Sequence, residues 1–230
     1  MTLPILFEDG EALVINKPAG LPVDRPRRGG ECLEDHLDAL KLGFQRRPVA
    51  VHRLDTDTSG CLLLARNPKA LKRFNKAFED RLVAKTYLAI LSGYPPEQSG
   101  TIRLKLAKIS SEAKGWRMIA AKKGKIAVSH WEMMQELGAN TLIRFTPETG
   151  RTHQLRVHAH KGLGAPLLGD PVYGSEKQRG MGAKRTMLHA SSLVIPREKK
   201  PPIEAHAPLP ADFLAMGAVE PSIHEQDGDG

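Results

Sequence analysis

The densest run of chemically able side chains is His52-Arg53-Leu54-Asp55-Thr56-Asp57-Thr58-Ser59-Gly60. The apolar stretches Val49–Leu54 and Cys61–Ala65 read as short strands around it, so a carboxylate and a guanidinium are delivered from rigid strand ends into a polar loop. A carboxylate held that way can act as a nucleophile or a base. The same residues also suit a plain Asx or Ser/Thr turn, with Asp55 and Thr58 capping backbone donors. The residues alone do not choose between the two.

A second cluster, Gly150-Arg151-Thr152-His153-Gln154-Leu155-Arg156-Val157-His158, sets two Arg and two His around the expected start of a helix. Guanidinium groups and helix N-termini both attract phosphate. The bland alternative is a solvated helix face with Leu155 and Val157 turned inward. His153, His158 and His160 raise the question of a metal, but no Cys lies nearby and Asp170 is the closest downstream carboxylate, so no metal is expected. Lys85-Thr86-Tyr87 offers a ring that could stack on a base, or a half-buried strand residue. Arg103, Lys105, Lys108, Lys114, Arg117, Lys122, Lys123 and Lys125 crowd a region whose one acid is Glu112.

These groups need elements to hold them. Ile5–Phe7 and Ala12–Ile15 flank Asp9-Gly10 as a hairpin. Leu33, Leu37 and Leu40 predict a short helix over Glu31–Leu42, and Asn67-Pro68 caps another whose buried face is Leu71, Phe74, Phe78 and Leu82. Further strands are predicted at Thr86–Leu91, Ile102–Leu106, Ile126–Met134 and Thr141–Phe145, a helix at Thr152–His160, and a last strand at Leu188–Ile195. Strands arrive in clusters with no βαβ rhythm, so the expected class is α+β with a mainly antiparallel sheet. Residues 1–215 are expected to form one domain and 216–230 a disordered tail.

With 230 residues the chain can bury a full core without disulfide or metal staples. Cys32 and Cys61 stand in unrelated contexts, which excludes a four-thiolate zinc site and gives no secreted disulfide framework. Acidic residues arrive too early for a signal peptide, and no apolar run spans a bilayer, so a cytoplasmic protein is expected. Lys and Arg number 34 against 26 acids, a formal charge of +8 that suits a polyanionic partner.

Taken together and in order, NKPAG at Asn16–Gly20, HRLDTDTSG at His52–Gly60, KTY at Lys85–Tyr87, GRTHQLRVH at Gly150–His158, GDPVYG at Gly169–Gly174 and LHA at Leu188–Ala190 resemble the RluA-type RNA pseudouridine synthases. The resemblance runs over roughly residues 5–213 and rests on HRLD and TSG paired with a downstream GRTHQLR, since any one short motif is weak. It implies a mixed, mainly antiparallel twisted sheet in two halves with RNA in the cleft between them. It also implies a cofactor-free and metal-free isomerisation of uridine in rRNA or tRNA. Asp55 would then be the catalytic carboxylate, and Arg156 its ion-pair partner, keeping it ionised. Tyr87 would stack on the target base, Arg53 would fill the space left by the flipped uridine, and Leu188 would form an apolar wall. Lys85, Arg151 and His153 fall on the RNA side of the same site.

The chain begins almost directly at the catalytic strand, so the resemblance is to members without an N-terminal S4-like domain. RNA contacts are then expected from the 103–125 region and the Arg25–Arg28 loop, with a monomer as the default state and no protein or membrane partner. Two alternatives stay open at this stage. A hydrolytic N-glycosidase using Asp55 would release free uracil, and a non-catalytic RNA-binding module would modify nothing.

Overall fold

The structure, a computed structural model, describes residues 1–27, 29–111, 115–174 and 183–220. The hairpin at Asp9-Gly10 forms between β1 (Ile5–Glu8) and β2 (Ala12–Lys17), with Asp9 Oδ1 accepting from the Glu11 and Ala12 amides at 2.8 and 2.9 Å. β2 pairs with β4 (Ser59–Ala65), and both strands are almost wholly apolar because both faces are covered. Ala12, Val14, Leu63 and Ala65 pack under helix α1 (Pro68–Glu79), while Leu13, Ile15, Leu62 and Leu64 face Leu21, Leu33, Leu40 and Leu54.

The remaining strands are β3 (Val49–Ala50), β5 (Ala84–Ser92), β6 (Ser99–Ser111), β7 (Gly115–Ala120), β8 (Lys125–Leu137), β9 (Asn140–Pro147), β10 (Leu188–Ile195) and β11 (Ile203–His206). Among the described residues they join one sheet of eleven strands in the order β1-β2-β4-β10-β5-β9-β8-β6-β7, with β11 beside β10 and β3 beside β4. The pairings are antiparallel except β4 with β10, where Ser59 and Gly60 lie beside His189 and Ala190. Core clusters cross that junction: Cys61 and Leu63 of β4 pack with Leu193 and Ile195 of β10 on one face, and Leu62 and Leu64 with Ala190 on the other. Tyr87, on β5, packs against two core clusters. The expected α+β class with a mainly antiparallel sheet is what forms.

Several local expectations are corrected. The strand expected over Val49–Leu54 stops at Ala50. Val51 N–H still reaches the Leu63 carbonyl, but Leu63 N–H is taken by His52 Nε2 at 3.0 Å instead of by a main-chain carbonyl. The Glu31–Leu42 helix is only a 3-10 turn at Leu33–His36 followed by i→i+3 turns. Asp35 turns back to the Cys32 amide at 3.0 Å, and Asp38 pairs with Lys41 and Arg47, so acids compete for the local backbone and charges. Leu33 and Leu40 still bury.

Helix α1 starts as predicted, with Asn67 accepting from the Ala70 amide at 2.9 Å. It ends at Glu79, and Arg81 turns left-handed (φ 60°), so Leu82 leaves the buried face and is 58% exposed. The helix expected at Thr152–His160 begins only at α2 (Gln154–Val157), followed by a π turn at His158–Gly162. β10 is not the last strand, since β11 and α3 (Ala211–Ala215) follow. Of residues 216–220, placed in the expected disordered tail, Ala218 is buried, and Gln135 bonds the Gly217 carbonyl and the Val219 amide. The rest of that expected tail, 221–230, lies outside the described residues, as do Arg28, Glu112 and Lys114.

Burial pushes the imidazoles of His52, His158 and His189 down to about 4. Their ordinary value is about 6.5, so between those values the unfolded chain binds more protons and stability falls as pH drops. The loss is on the order of 3 kcal/mol per ring if each stays neutral in the fold. Urea unfolding at pH 7, 5.5 and 4 should show a steep decline, and a flat profile would rule out neutral buried rings.

Candidate active site

Asp55 sits in the turn leading into β4, and three successive carbonyls of that turn are gripped. The Asp55 carbonyl accepts from the Thr58 amide at 3.0 Å. The Thr56 carbonyl accepts from the Gly20 amide at 2.9 Å and from Lys17 Nζ at 3.1 Å. The Asp57 carbonyl accepts from Arg185 Nη1 at 2.9 Å. The turn ends at Gly60, where φ is +108° and a Cβ would lie 2.2 Å from the Ala190 carbonyl oxygen. Only glycine lets β4 and β10 approach this closely.

The second motif is set by Gln154, whose buried amide is fully paired. Its oxygen accepts from Thr149 Oγ1 (2.7 Å) and the Arg151 amide (3.0 Å), and its nitrogen donates to the Val128 carbonyl and Ser129 Oγ, both at 2.9 Å. Before it, His153 adopts a left-handed backbone (φ 51°), which aims its ring toward Asp55. Arg156, one turn into α2, forks onto Asp170 with Nε–Oδ2 2.7 Å and Nη2–Oδ1 2.8 Å. Its remaining nitrogen, Nη1, reaches Asp55 Oδ2 at 3.3 Å.

All eight residues singled out in the sequence, Arg53, Asp55, Lys85, Tyr87, Arg151, His153, Arg156 and Leu188, line one cleft of about 670 Å³. Arg53 stands at the exposed mouth, 3.0 Å from Asp24, and Leu188 is buried in the wall. Arg151 Nε leans on the Ile126 carbonyl at 3.3 Å. Arg25 does not join them; it pairs with Asp35 and Glu34. Among the described residues no three His, Cys, Asp or Glu side chains converge as metal ligands, and no helix is long and apolar enough to cross a membrane.

The sequence profile of the RNA pseudouridylate synthase family matches residues 11–161. An uncharacterized RNA pseudouridine synthase of Zymomonas mobilis is 55% identical over 213 residues, covering 93% of this chain and 96% of its own length. The chain belongs to the RNA pseudouridylate synthase family. Ribosomal large subunit pseudouridine synthase C of Rickettsia felis is 38% identical over 195 residues, 83% of this chain and 62% of that one. Among solved structures, human RNA pseudouridylate synthase domain containing 4 superposes with a TM-score of 0.77 at 26% identity, covering 93% of this chain and 91% of that one. Human RNA pseudouridylate synthase domain containing 1 gives 0.77 at 31% identity, covering 91% and 84%. The activity is therefore that of an RNA pseudouridine synthase, an isomerase acting on uridine in RNA.

The electrostatics of this pseudouridine synthase centre on buried charge. Burial raises the Asp170 carboxyl, but the Arg156 fork and the Val172 and Tyr173 amides outweigh it, leaving Asp170 below its ordinary range. For Arg156, burial works against the charge, yet Asp170 and Asp55 together hold the guanidinium more firmly protonated than usual. Lys17, fully buried, also donates to the Pro18 and Leu21 carbonyls; burial lowers it to about 7, with Asp57 and Asp55 pulling upward. Burial, with the Asp55 charge adding to it, pushes the Tyr87 phenol above its usual range, so its hydroxyl stays protonated.

Tyr173 supplies a detail that the sequence motifs did not reveal. Its oxygen accepts from the Met118 amide at 3.0 Å, so its own proton faces His153 Nδ1 at 3.0 Å. With the Tyr173 proton given to Nδ1, a neutral ring carries its own proton on Nε2, the atom 3.8 Å from Asp55 Oδ2. Burial lowers the His153 ring, against the pull of Asp55, toward the neutral form this tautomer requires. Gln154, Asp170, Tyr173, Lys17 and Arg185 were all absent from the expected site. The motifs contained the first four, but no spacing in the sequence says that they meet.

Breaking a buried ion pair leaves an uncompensated charge, at a cost of about 3–5 kcal/mol. Asp170→Ala should therefore destabilise the synthase by that order, read by urea unfolding at pH 7. A change below about 1 kcal/mol would mean that Arg156 finds its partner elsewhere.

Proposed function

We propose that the synthase isomerises a flipped uridine with Asp55 as the nucleophile. The observation that carries this is the Asp55 carboxylate, 22% exposed at the cleft floor and 3.3 Å from a guanidinium already locked by Asp170. The N1–C1′ bond of uridine breaks, the base turns, and C5 bonds to C1′; the C5 proton leaves and N1 gains one, so no atom is added or lost. Attack at the sugar, attack at the base and elimination from the sugar share one need, an ionised carboxylate held beside the nucleotide and out of bulk water.

The other roles follow from position. Tyr87 and Leu188 line the cleft and supply a stacking ring and an apolar wall for an extruded base. Arg53, exposed at the mouth and paired among the described residues with exposed Asp24, is free to enter the space the uridine leaves. Lys85, Arg151 and His153 hold the flanking backbone. Exposed Arg103, Lys105 and Lys108 on β6, with Lys122, Lys123 and Lys125 at the β7–β8 turn, form the approach for phosphates. The name of the Rickettsia relative favours large-subunit ribosomal RNA as the substrate, with transfer RNA as the second class, and a monomeric, cytoplasmic enzyme suits both.

Asp55→Asn should lower pseudouridine formation by a factor of about 1,000 or more, because the isostere cannot act as the nucleophile. The measurement is chemical mapping of pseudouridine in ribosomal and transfer RNA from a deletion strain, before and after incubation with each protein. Full activity of D55N, or free uracil in place of pseudouridine, rejects the assignment.

Charge reversal at Lys105, Lys122 and Lys125 should weaken RNA binding by about tenfold or more and flatten its salt dependence. Unchanged affinity in a folded triple variant would remove that face from the binding surface.

A further inference from the structure

Arg185 is not among the residues lining the cleft, yet all three nitrogens of its guanidinium are bonded. It is 10% exposed, and Nη1 alone meets three carbonyls: Asp57 at 2.9 Å, Leu188 at 3.1 Å and Thr186 at 3.2 Å. Its other two nitrogens fork onto Asp212 of α3, with Nε–Oδ2 2.6 Å and Nη2–Oδ1 3.0 Å. The guanidinium carbon stands 5.5 Å from the ring centroid of fully buried Phe213.

The three carbonyls belong to the two segments that border the cleft. Asp57 is in the Asp55 turn, and Leu188 begins β10 and forms the cleft wall. One nitrogen therefore ties the turn to the wall. A single Nη1 meets all three acceptors only when the guanidinium plane is fixed, and the Asp212 fork fixes it. Asp212 is 45% exposed, so this ion pair is worth little to stability and much to orientation. Both residues lie beyond residues 11–161, the segment matched by the family profile.

We propose that Arg185 and Asp212 are positioning residues, through which the short C-terminal helix sets the register of the Asp55 turn against the cleft wall. This rests on Asp55 being the nucleophile. A misplacement of about 1 Å at a reacting group can cost a hundredfold in rate.

The test uses the full-length chain and an RNA shown to be modified, and measures single-turnover rate, RNA Kd and thermal unfolding for each variant. Asp212→Asn and Arg185→Lys should each slow turnover by about tenfold to a hundredfold. Their RNA Kd should stay within about twofold, the pattern of a loss confined to the reacting geometry. Asp212→Glu, which restores a charged fork, should recover the rate to within about threefold. A folded D212N with wild-type rate overturns the proposal. So does a slowing that matches the loss of folded protein, or one confined to RNA affinity. If D212N does not fold, R185K, which keeps the charge and a donor, decides by the same criteria. Asp55→Asn separates the two levels: an active D55N defeats the nucleophile assignment, whereas an inactive D55N beside a normal D212N defeats only the Arg185–Asp212 role.

Discussion

One guanidinium serves two carboxylates, and the rest of the site is arranged around that division. Arg156 gives its fork to Asp170, which has no exposure and accepts two backbone amides as well, and offers only Nη1 to Asp55. The bonds differ accordingly, 2.7 and 2.8 Å on the buried side against 3.3 Å on the open one. A guanidinium alone beside Asp55 would bring a desolvation cost and a mobile side chain. Locked by Asp170, it becomes a fixed positive charge whose position owes nothing to the carboxylate it faces. Asp55 keeps a charged neighbour while its oxygens remain open to the cleft.

That arrangement depends on bringing residues 55, 156 and 170 together from different parts of the chain, which is the work of the sheet centre. β4 and β10 run parallel from the cleft floor, and Gly60 permits their approach. Ser59 Oγ then meets His189 Nδ1 at 2.9 Å, and His189 Nε2 reaches the Ala207 carbonyl at 3.2 Å, so the ring joins the motif end to the segment after β11. Tyr87, on β5 beside β10, packs against two core clusters.

Much of this was legible in the sequence, for identifiable reasons. The cap at Asn67, the turn at Asp9-Gly10 and the strands of β5, β8, β9 and β10 are local, and local chemistry decided them. The eight site residues were legible because they fall inside ordered motifs that resemble one family, not because their spacing requires a site. The failures are those in which a distant partner overrode the local pattern. Leu33, Leu37 and Leu40 bury as a helix would bury them, yet Asp35 and Asp38 find other bonds and the backbone stays in tight turns. Residues 216–219 look unable to bury anything until Gln135, 84 residues away from Val219, supplies the backbone partners. Asp170 reads as one acid in a loop, and nothing short of the fold shows Arg156 above it.

The electrostatic balance of the cleft connects these points to the substrate. An enzyme of this family must bring a phosphate chain close to a carboxylate, two charges that repel. Asp55, Asp57 and Asp170 lie among Arg156, Arg185, Lys17, Lys85 and Arg53, so the acids of the floor are offset locally. The screening is also layered by depth. Arg156 is buried, where low dielectric strengthens its hold on the floor. Arg53 is exposed, where its charge reaches outward and its side chain can move. Exposed lysines of β6 and the β7–β8 turn extend that potential along the surface. The burial of each cation therefore sets what its charge acts on: the deep one steadies the acid, and the shallow ones face the polyanion.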